Sequence, residues 1–539
     1  MNLTRKNVTI LLSIAIISVS LLSVSILSYS GYLSSPKDRP KGVCANYDQE
    51  TNVITVTCNS TLSEVHNTIA DDNLLKKETS EGIWFLNSSV VVSKEAVLTI
   101  SNKDAKWIKI NSEGRSSGNK EGPGPGQEAS GAAPYFIQIF GRLDLQGVKI
   151  TSWNPLTKSY ANQKSDGTVP RPYITVGDGA GPSHLQDSEI AYLGYNTSQK
   201  QGLSFYGGDG STLTGNNIHD LWYGFYSTGV GDMVIENNTV HDNFKYGIDP
   251  HTGSHDMKIR NNDILNSRIG LICSLECSNL IFEKNRIDGN KEVGLMFSKE
   301  TVNSTARFNN ISLSDTGIAV SDSHSNSVYG NAIRRSVDGL SVKNNSSDNM
   351  LINNTISDSK GCGIIVATTA QNNTIASNYV RNYTESGICL SKGANHNAFR
   401  FNVIDGLGQY GINIKDEDVK GNRFNDNVIQ LSGNAIRLSN TTGTLFINNL
   451  VGNTNDHEYI ISSNSTLNLV KTWFVGDAVR AAGTEINTVN ITNSSIIDVV
   501  TERAGANDTS SRYDTNVKPY VGKLSYMTIK IYSRGQNPN

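Results

Sequence analysis

Proline is scarce in this 539-residue chain, with 12 in all, and cysteine is scarcer still, with 6. Against 48 glycines, that little proline excludes a collagen-type triple helix. Six cysteines in so long a chain exclude a fold built on a disulfide framework. No sign of charge prevails: 47 basic and 50 acidic side chains leave a formal net charge of −3, so nucleic acid is not an expected partner. Hydrophobic residues at 37% are too many for disorder and too few for a polytopic membrane protein. Long apolar runs are missing with one exception, residues 8–27, which follow Arg5 and Lys6. That run has the length of a membrane span and no clear A-x-A cleavage site after it. Residues 1–35 therefore read as an export signal or a retained membrane anchor, and the remaining chain as extracytoplasmic, secreted or anchored.

An exported chain has use for its few cysteines. Cys44 and Cys58 are spaced to close a short loop, and Cys273 with Cys277 and Cys362 with Cys389 are further candidate pairs. Triplets such as Asn59-Ser60-Thr61 and Asn196-Thr197-Ser198 also permit glycosylation.

What the chain has in abundance is repetition. Asn-x-[Ile/Val] recurs from Asn216 through Asn238, Asn262, Asn285, Asn309, Asn331, Asn354, Asn378, Asn402 and Asn427 to Asn449, at spacings of 22 to 25 residues. Glycine followed by an apolar residue recurs independently from Gly202 through Gly224, Gly247, Gly270 and Gly294 to Gly411, at 22 to 24. Two series locked to one period make a repeat protein. Within each unit, short β-branched segments alternate in polarity between Asn, Gly, Asp and Ser, and helical spacing is almost absent. The expected fold is all-β: a right-handed parallel β-helix of about 23 residues per coil. Ile218, Val240, Ile264, Ile287, Ile311, Ile333 and Ile356 should stack inside it. The recurring Asn should sit at a bend, in left-handed backbone, bonding to its own kind along the stack. A leucine-rich repeat has a similar period but lacks a counterpart here to its leucine spacing and helix.

The expected organisation is a signal or anchor at 1–35, a separate β-rich capping region with a loop at 36–133, the β-helix at 134–455, and a β-rich cap or appendage at 456–539. Residues 157–171 read as a long loop, and 486–500 and 524–532 as strands.

Chemistry on such a scaffold should appear where the repeat is broken. The clearest break is Tyr246-Gly247-Ile248-Asp249-Pro250-His251. Asp249 falls two residues after the repeat glycine, where neighbouring coils carry Tyr226, Ile272 and Met296; His251 falls four after, where they carry Thr228 and Ser274. Stacking should bring Tyr223, Tyr226, Tyr246, Asp249 and His251 onto one face. Pro250 removes a ladder donor and should force a sharp exit that exposes His251.

Tyr-Gly-Ile-Asp-Pro-His resembles the D-P-H-[D/E] motif of mannuronan C5-epimerases, which convert β-D-mannuronate to α-L-guluronate within alginate. The likeness extends through Asp187-Ser-Glu-Ile-Ala-Tyr-Leu-Gly-Tyr195, Gly202-Leu-Ser-Phe205 and Trp222-Tyr-Gly-Phe-Tyr226, and is best from 183 to 260, where it resembles the periplasmic, single-module branch. Thr252 departs from the motif, standing where the family has Asp or Glu. The family's Ser-Arg-Glu segment, which supplies a cation one coil downstream, is Ser274-Leu275-Glu276 here, while Ser298-Lys299-Glu300 follows one coil later.

The resemblance implies His251 as the base, Tyr246 as a competing base or proton donor, and Asp249 as the residue that orients His251 or, protonated, meets the sugar carboxylate. Lys299 or Arg268 would neutralise that carboxylate. Asp256 would bind a sugar hydroxyl, and Tyr195, Tyr223 and Tyr226 would contact sugar rings. The expected partner is an anionic polysaccharide and the expected state a monomer. No metal site or cofactor is expected: His251-x-x-x-His255 has zinc spacing only on a helix, and no G-G-x-G-x-D calcium array occurs, although a calcium requirement stays open. A polysaccharide lyase and a non-catalytic carbohydrate-binding β-helix are the alternatives.

Overall fold

The computed structural model describes residues 44–114, 133–441 and 443–452, and beyond them the backbone of seven strands between His457 and Ile531. The chain divides into two units, Met1–Cys44 and Ala45–Asn539, and every element described here belongs to the second. The expected signal or anchor lies outside the described residues. No helix among the described residues is long and apolar enough to cross a membrane.

One coil shows the plan. Tyr246–His251 belongs to a first sheet, Lys258–Arg260 to a second and Asp263–Leu265 to a third, before Ile269–Cys273 returns to the first. Each strand pairs in parallel with its counterpart one coil away, as in Ile235↔Ile259↔Phe282 and Val240↔Ile264↔Ile287. Alternate side chains point inward, so Phe225, Ile248, Leu271 and Leu295 from the first sheet meet the isoleucine column of the third in a fully buried core. The expected inward series from Ile218 to Ile356 is buried throughout.

The asparagine column is a buried hydrogen-bond ladder. Asn354 Nδ2 donates to Asn378 Oδ1 at 3.0 Å and to the Val328 carbonyl at 2.9 Å. Its own Oδ1 accepts from both Nδ2 and the backbone N–H of Asn331, each at 3.0 Å. The left-handed backbone falls one residue earlier than expected. Asn237, Lys284, Phe308 and Asn353 have φ between 51° and 58°, whereas the ladder asparagines do not. The carboxamide is thus selected for its two-way bonding, and the preceding residue makes the bend. A second ladder, unforeseen in the sequence, runs through Asn326, Asn349, Asn373, Asn397 and Asn422 at the bend after the first sheet.

The glycine series has a steric cause. A Cβ on Gly247 would stand 2.5 Å from the Gly270 carbonyl oxygen and 2.8 Å from the Ile264 methyl, so the corner admits no side chain.

Sheet pairing runs through both expected domain boundaries. Ser89–Val92 pairs in parallel with Val53–Val56 on one side and Phe136–Ile139 on the other, so the region before 134 is solenoid and not a separate cap. His457–Ser462 likewise continues from Asn434–Ser439. Insertions and irregular coils hid this continuity from the period. The outermost strands instead turn antiparallel: Ala45–Asp48 returns along Val53–Val56, and Met527–Ile531 along Asn487–Thr492. Returning strands occupy edges that would otherwise recruit another chain. One helix, Leu62–Ile69, was not expected; Thr61 and Glu64 form its capping box and Leu62 and Val65 anchor it. The long loop expected at 157–171 is held by fully buried Arg171, whose guanidinium donates to the carbonyls of Leu193, Gly194 and Ala161.

Asn354→Ala removes the acceptor for two donors of Asn331 and the donor for Val328. Denaturant unfolding should show a loss of about 2–4 kcal/mol; an unchanged midpoint would mean that the ladder contributes nothing net.

Candidate active site

The register fixes the columns of the outward face: Tyr223↔Tyr246, Tyr226↔Asp249 and Thr228↔His251. On the other side pairing stops at Ile248↔Leu271, because Pro250 has no N–H to continue it. The five residues expected on one face do meet there. Ring centroids lie 4.9 Å apart for Tyr223 and Tyr246, 5.6 Å for Tyr223 and Tyr226, and 5.3 Å for Tyr226 and His251. His251, however, is half-buried rather than thrust into solvent, because the tyrosines pack around it.

Asp249 is fully buried beneath them, and neither carboxyl oxygen has a hydrogen-bond partner. Burial drives its pKa well above the usual carboxylate value, against a weaker pull from Ser274 and Lys245. Burial thus favours the neutral acid form of Asp249. Burial, reinforced by the positive charges of Lys299 and Lys245, lowers the pKa of His251 and keeps its ring neutral. Burial also raises the phenols of Tyr223, Tyr226 and Tyr246, which stay protonated.

The cation at the centre of this group is one that sequence reasoning missed. Lys245 Nζ donates to Tyr223 Oη at 2.8 Å and lies 5.2 Å and 5.0 Å from the ring centroids of Tyr223 and Tyr246. No carboxylate among the described residues is within ion-pair distance of it. Its pKa is lowered, chiefly by burial. The signal was present: Lys245 stands two residues before the repeat glycine, in the position of Arg268 one coil on.

The expected cations stand further out. Lys299 is exposed on a left-handed turn and reaches His251 through its charge alone. Arg268 Nε is engaged by Glu292 Oε1 at 2.7 Å. Asp256 is not brought to the cluster by any contact: its carboxylate accepts from His255 Nδ1 at 2.8 Å and Asn279 Nδ2 at 3.1 Å at a different bend. Tyr195 lies in the turn before Gly202–Phe205, where Lys200 Nζ is 5.9 Å from its ring.

Thr252, the departure from the motif, touches the imidazole. Its Oγ1 is 2.6 Å from His251 Nδ1, and its backbone N–H donates to the same nitrogen at 2.9 Å. With the hydroxyl accepting, Nδ1 keeps the proton and Nε2 is a base; with the amide donating, Nε2 keeps it. The disulfide Cys273–Cys277 closes a short loop around Ser274, which faces Asp249. Cys362–Cys389 also forms, and no described cysteine is free.

The site thus gathers a buried carboxyl, an imidazole with a lowered pKa, protonated phenols and one ammonium with no carboxylate in ion-pair reach among the described residues, an arrangement able to accommodate an anion. The chain is similar to mannuronan C5-epimerases. It is 25% identical over 271 residues to the enzyme of Pseudomonas syringae pv. tomato, covering 48% of this chain and 46% of that one. To the Pseudomonas aeruginosa enzyme it is 29% identical over 229 residues, 40% of this chain and 38% of that one. The chain spans about half the length of these curated relatives or less. The crystal structure of the periplasmic alginate epimerase AlgG shares the fold, at 18% identity and a TM-score of 0.50 over 79% of this chain and 85% of that one. Two family models match: periplasmic copper-binding protein (NosD) over residues 160–343, and right handed beta helix region over 301–419. Among the described residues no group of three or more His, Cys, Asp or Glu side chains is arranged to hold a metal ion.

Two substitutions probe the site. Thr252→Asp puts a carboxylate beside Nδ1, and the His251 imidazole should titrate at higher pH by NMR; an unmoved titration would show that residue 252 does not set the ring's protonation. For Asp249 the folded pKa exceeds the unfolded one, so its ionisation costs stability as pH rises through the unfolded value toward the folded one. Asp249→Asn should then stabilise the protein by about 1–3 kcal/mol at neutral pH but not in acid. Equal destabilisation at both would contradict a buried neutral carboxyl.

Proposed function

We propose that the protein is a polyuronate C5-epimerase that converts β-D-mannuronate to α-L-guluronate residues within an alginate-like polymer. The observation that carries this reading is the ammonium of Lys245 set among groups held neutral by burial. C5 of a uronate loses its proton only if the adjacent carboxylate is neutralised, and a fixed charge in a poorly solvated site does this best. Lys245, with protonated Asp249 beneath, receives the carboxylate. In the tautomer whose Nδ1 proton rests on Thr252 Oγ1, His251 Nε2 takes the C5 proton, the C–H electron pair spreads into the carboxylate, and Tyr246 returns a proton to C5 from the other face. The C–H bond broken is replaced by one C–H bond formed, and His251 and Tyr246 recover their starting states through solvent. Tyr223 and Tyr226 line the same face, and burial, reinforced by Lys299 and Lys245, favours the neutral imidazole. One chain holds every group this scheme uses, so a monomer suffices, and neither a metal ion nor a cofactor is called upon. The disulfides, which take in all six cysteines, and the likeness to a periplasmic enzyme support an extracytoplasmic location.

Proton NMR of polymannuronate incubated with the protein in deuterated water tests the reading. The expected result is guluronate signals with deuterium at C5 and no chain scission. Unsaturated chain ends would make the enzyme a lyase, and no exchange at all would leave a binding module. Lys245→Gln should lower turnover about 100-fold or more with the fold intact. Because the His251 pKa is lowered, the acid limb of kcat/KM should lie below the ordinary imidazole value of 6.5. The lowered Lys245 pKa should bring the alkaline limb below 10.5.

A further inference from the structure

The position two residues before the repeat glycine forms a column along one edge of the first sheet, reading Trp222, Lys245, Arg268, Glu292 and Asp315. One coil earlier the register pairs Gly202 with Tyr223, so Gln201 stands opposite Trp222 and Lys200 lies one residue outside the column, on the same edge. Backbone bonds hold the column together: Lys245 N–H donates to the Trp222 carbonyl at 3.0 Å and Glu292 N–H to the Arg268 carbonyl at 2.8 Å. The charge reverses between Arg268 and Glu292, which pair at 2.7 Å. Beyond this seam Asp315 is exposed, and Asp338, in the adjoining column, has its pKa raised by burial and further by Asp315. Glu385 occupies the same edge three coils on from Asp315.

Before the seam, one arrangement occurs twice. Lys200 Nζ lies 6.0 Å and 5.9 Å from the rings of Tyr173 and Tyr195, as Lys245 Nζ lies over Tyr223 and Tyr246. The two cation–aromatic pairs are two coils apart, and coils repeat about every 4.8 Å, close to the rise of one sugar in an extended polysaccharide. A chain with one carboxylate per sugar can therefore meet a cation at Lys200 and, two sugars on, at Lys245, before it reaches the Arg268–Glu292 pair. The same chain carried further would run into Glu292, Asp315 and Asp338.

We infer that this charge reversal frames the substrate groove: an anionic polysaccharide is held over the coils from Lys200 to Arg268 and turned off the sheet at the Glu292 coil. The inference rests on the polyuronate reading and adds to it a direction. The reacting uronate over Lys245 has its bound neighbours chiefly on the Lys200 side, and Asp315 and Asp338 limit the number of sugars engaged beyond it.

Equilibrium binding of size-defined oligomannuronates, from trimer to dodecamer, tests this on the full chain and on Asp315→Asn/Asp338→Asn, which leaves the Arg268–Glu292 pair intact. Trimers should bind both proteins alike. The longest oligomers should bind the double variant about fivefold more tightly, as expected for removal of two partly exposed like charges, and the gain should fade at high salt. Superimposed length profiles for the two proteins would overturn the frame while leaving the polyuronate reading in place. Failure of the wild-type protein to bind any oligomannuronate would overturn both. Lys200→Gln provides a second readout: it should weaken long oligomers and spare trimers, and equal losses at every length would count against the direction assigned here.

Discussion

Everything in this molecule depends on handing hydrogen bonds from one coil to the next. The ladder of Asn216 to Asn449 shows the constraint in its tightest form, since each buried carboxamide is acceptor for one neighbour and donor for the other. A coil that slipped by one residue would orphan its own amide groups and those of two neighbours, at a cost larger than any single apolar contact returns. Register is therefore rigid, and side chains at equivalent positions become columns. The glycine corner reinforces this, because the first and third sheets approach too closely there for a Cβ.

Columns explain how a site arises without a pocket of the usual kind. A long repeat has little reason to bury an unpartnered carboxyl, yet Asp249 is buried on the outward face beneath tyrosines from its own coil and the one before. The arrangement is destabilising for a carboxylate and tolerable for a carboxylic acid, so the packing chooses the protonation state. The same burial keeps His251 neutral and the phenols protonated, while Lys245 keeps its charge by resting on aromatic faces and the Tyr223 hydroxyl. A single desolvating effect, acting on groups of different kinds, separates them into base, acid and cation.

How far the sequence disclosed this follows from the kind of signal each part leaves. The two periodic series disclose the solenoid because ladder and corner each demand one residue type at every turn. Tyr246, Asp249 and His251 stand out because they violate columns whose other members are visible. Lys245 is hard to see in sequence because it precedes the glycine, and a lysine before a turn looks like an ordinary solvated charge. Asp256 was drawn in by nearness in sequence, but a bend separates it from the site and His255 and Asn279 take its carboxylate. The coils before 134 look like a separate cap in sequence because loops break their period, although the pairing of Ser89–Val92 with Phe136–Ile139 does not need one. The left-handed residue ahead of each ladder Asn left no compositional trace, since Lys284 and Phe308 occupy it as readily as Asn353.

Thr252 shows how a local departure can be compatible with the chemistry. A carboxylate beside Nδ1 would fix the imidazole tautomer and raise its pKa together, whereas a hydroxyl allows either tautomer and leaves the charge to Lys245 and Lys299. With burial and those two cations lowering the pKa of His251, the ring needs no help to stay neutral; in the proposed reaction it needs only an acceptor for the Nδ1 proton at the moment Nε2 accepts one. The Thr252 hydroxyl supplies that acceptor without adding negative charge next to an incoming carboxylate. If the proposed substrate carboxylate is held by one partly buried ammonium, sparing that extra repulsion matters, because an unpaired charge at such short range acts with little water between the groups.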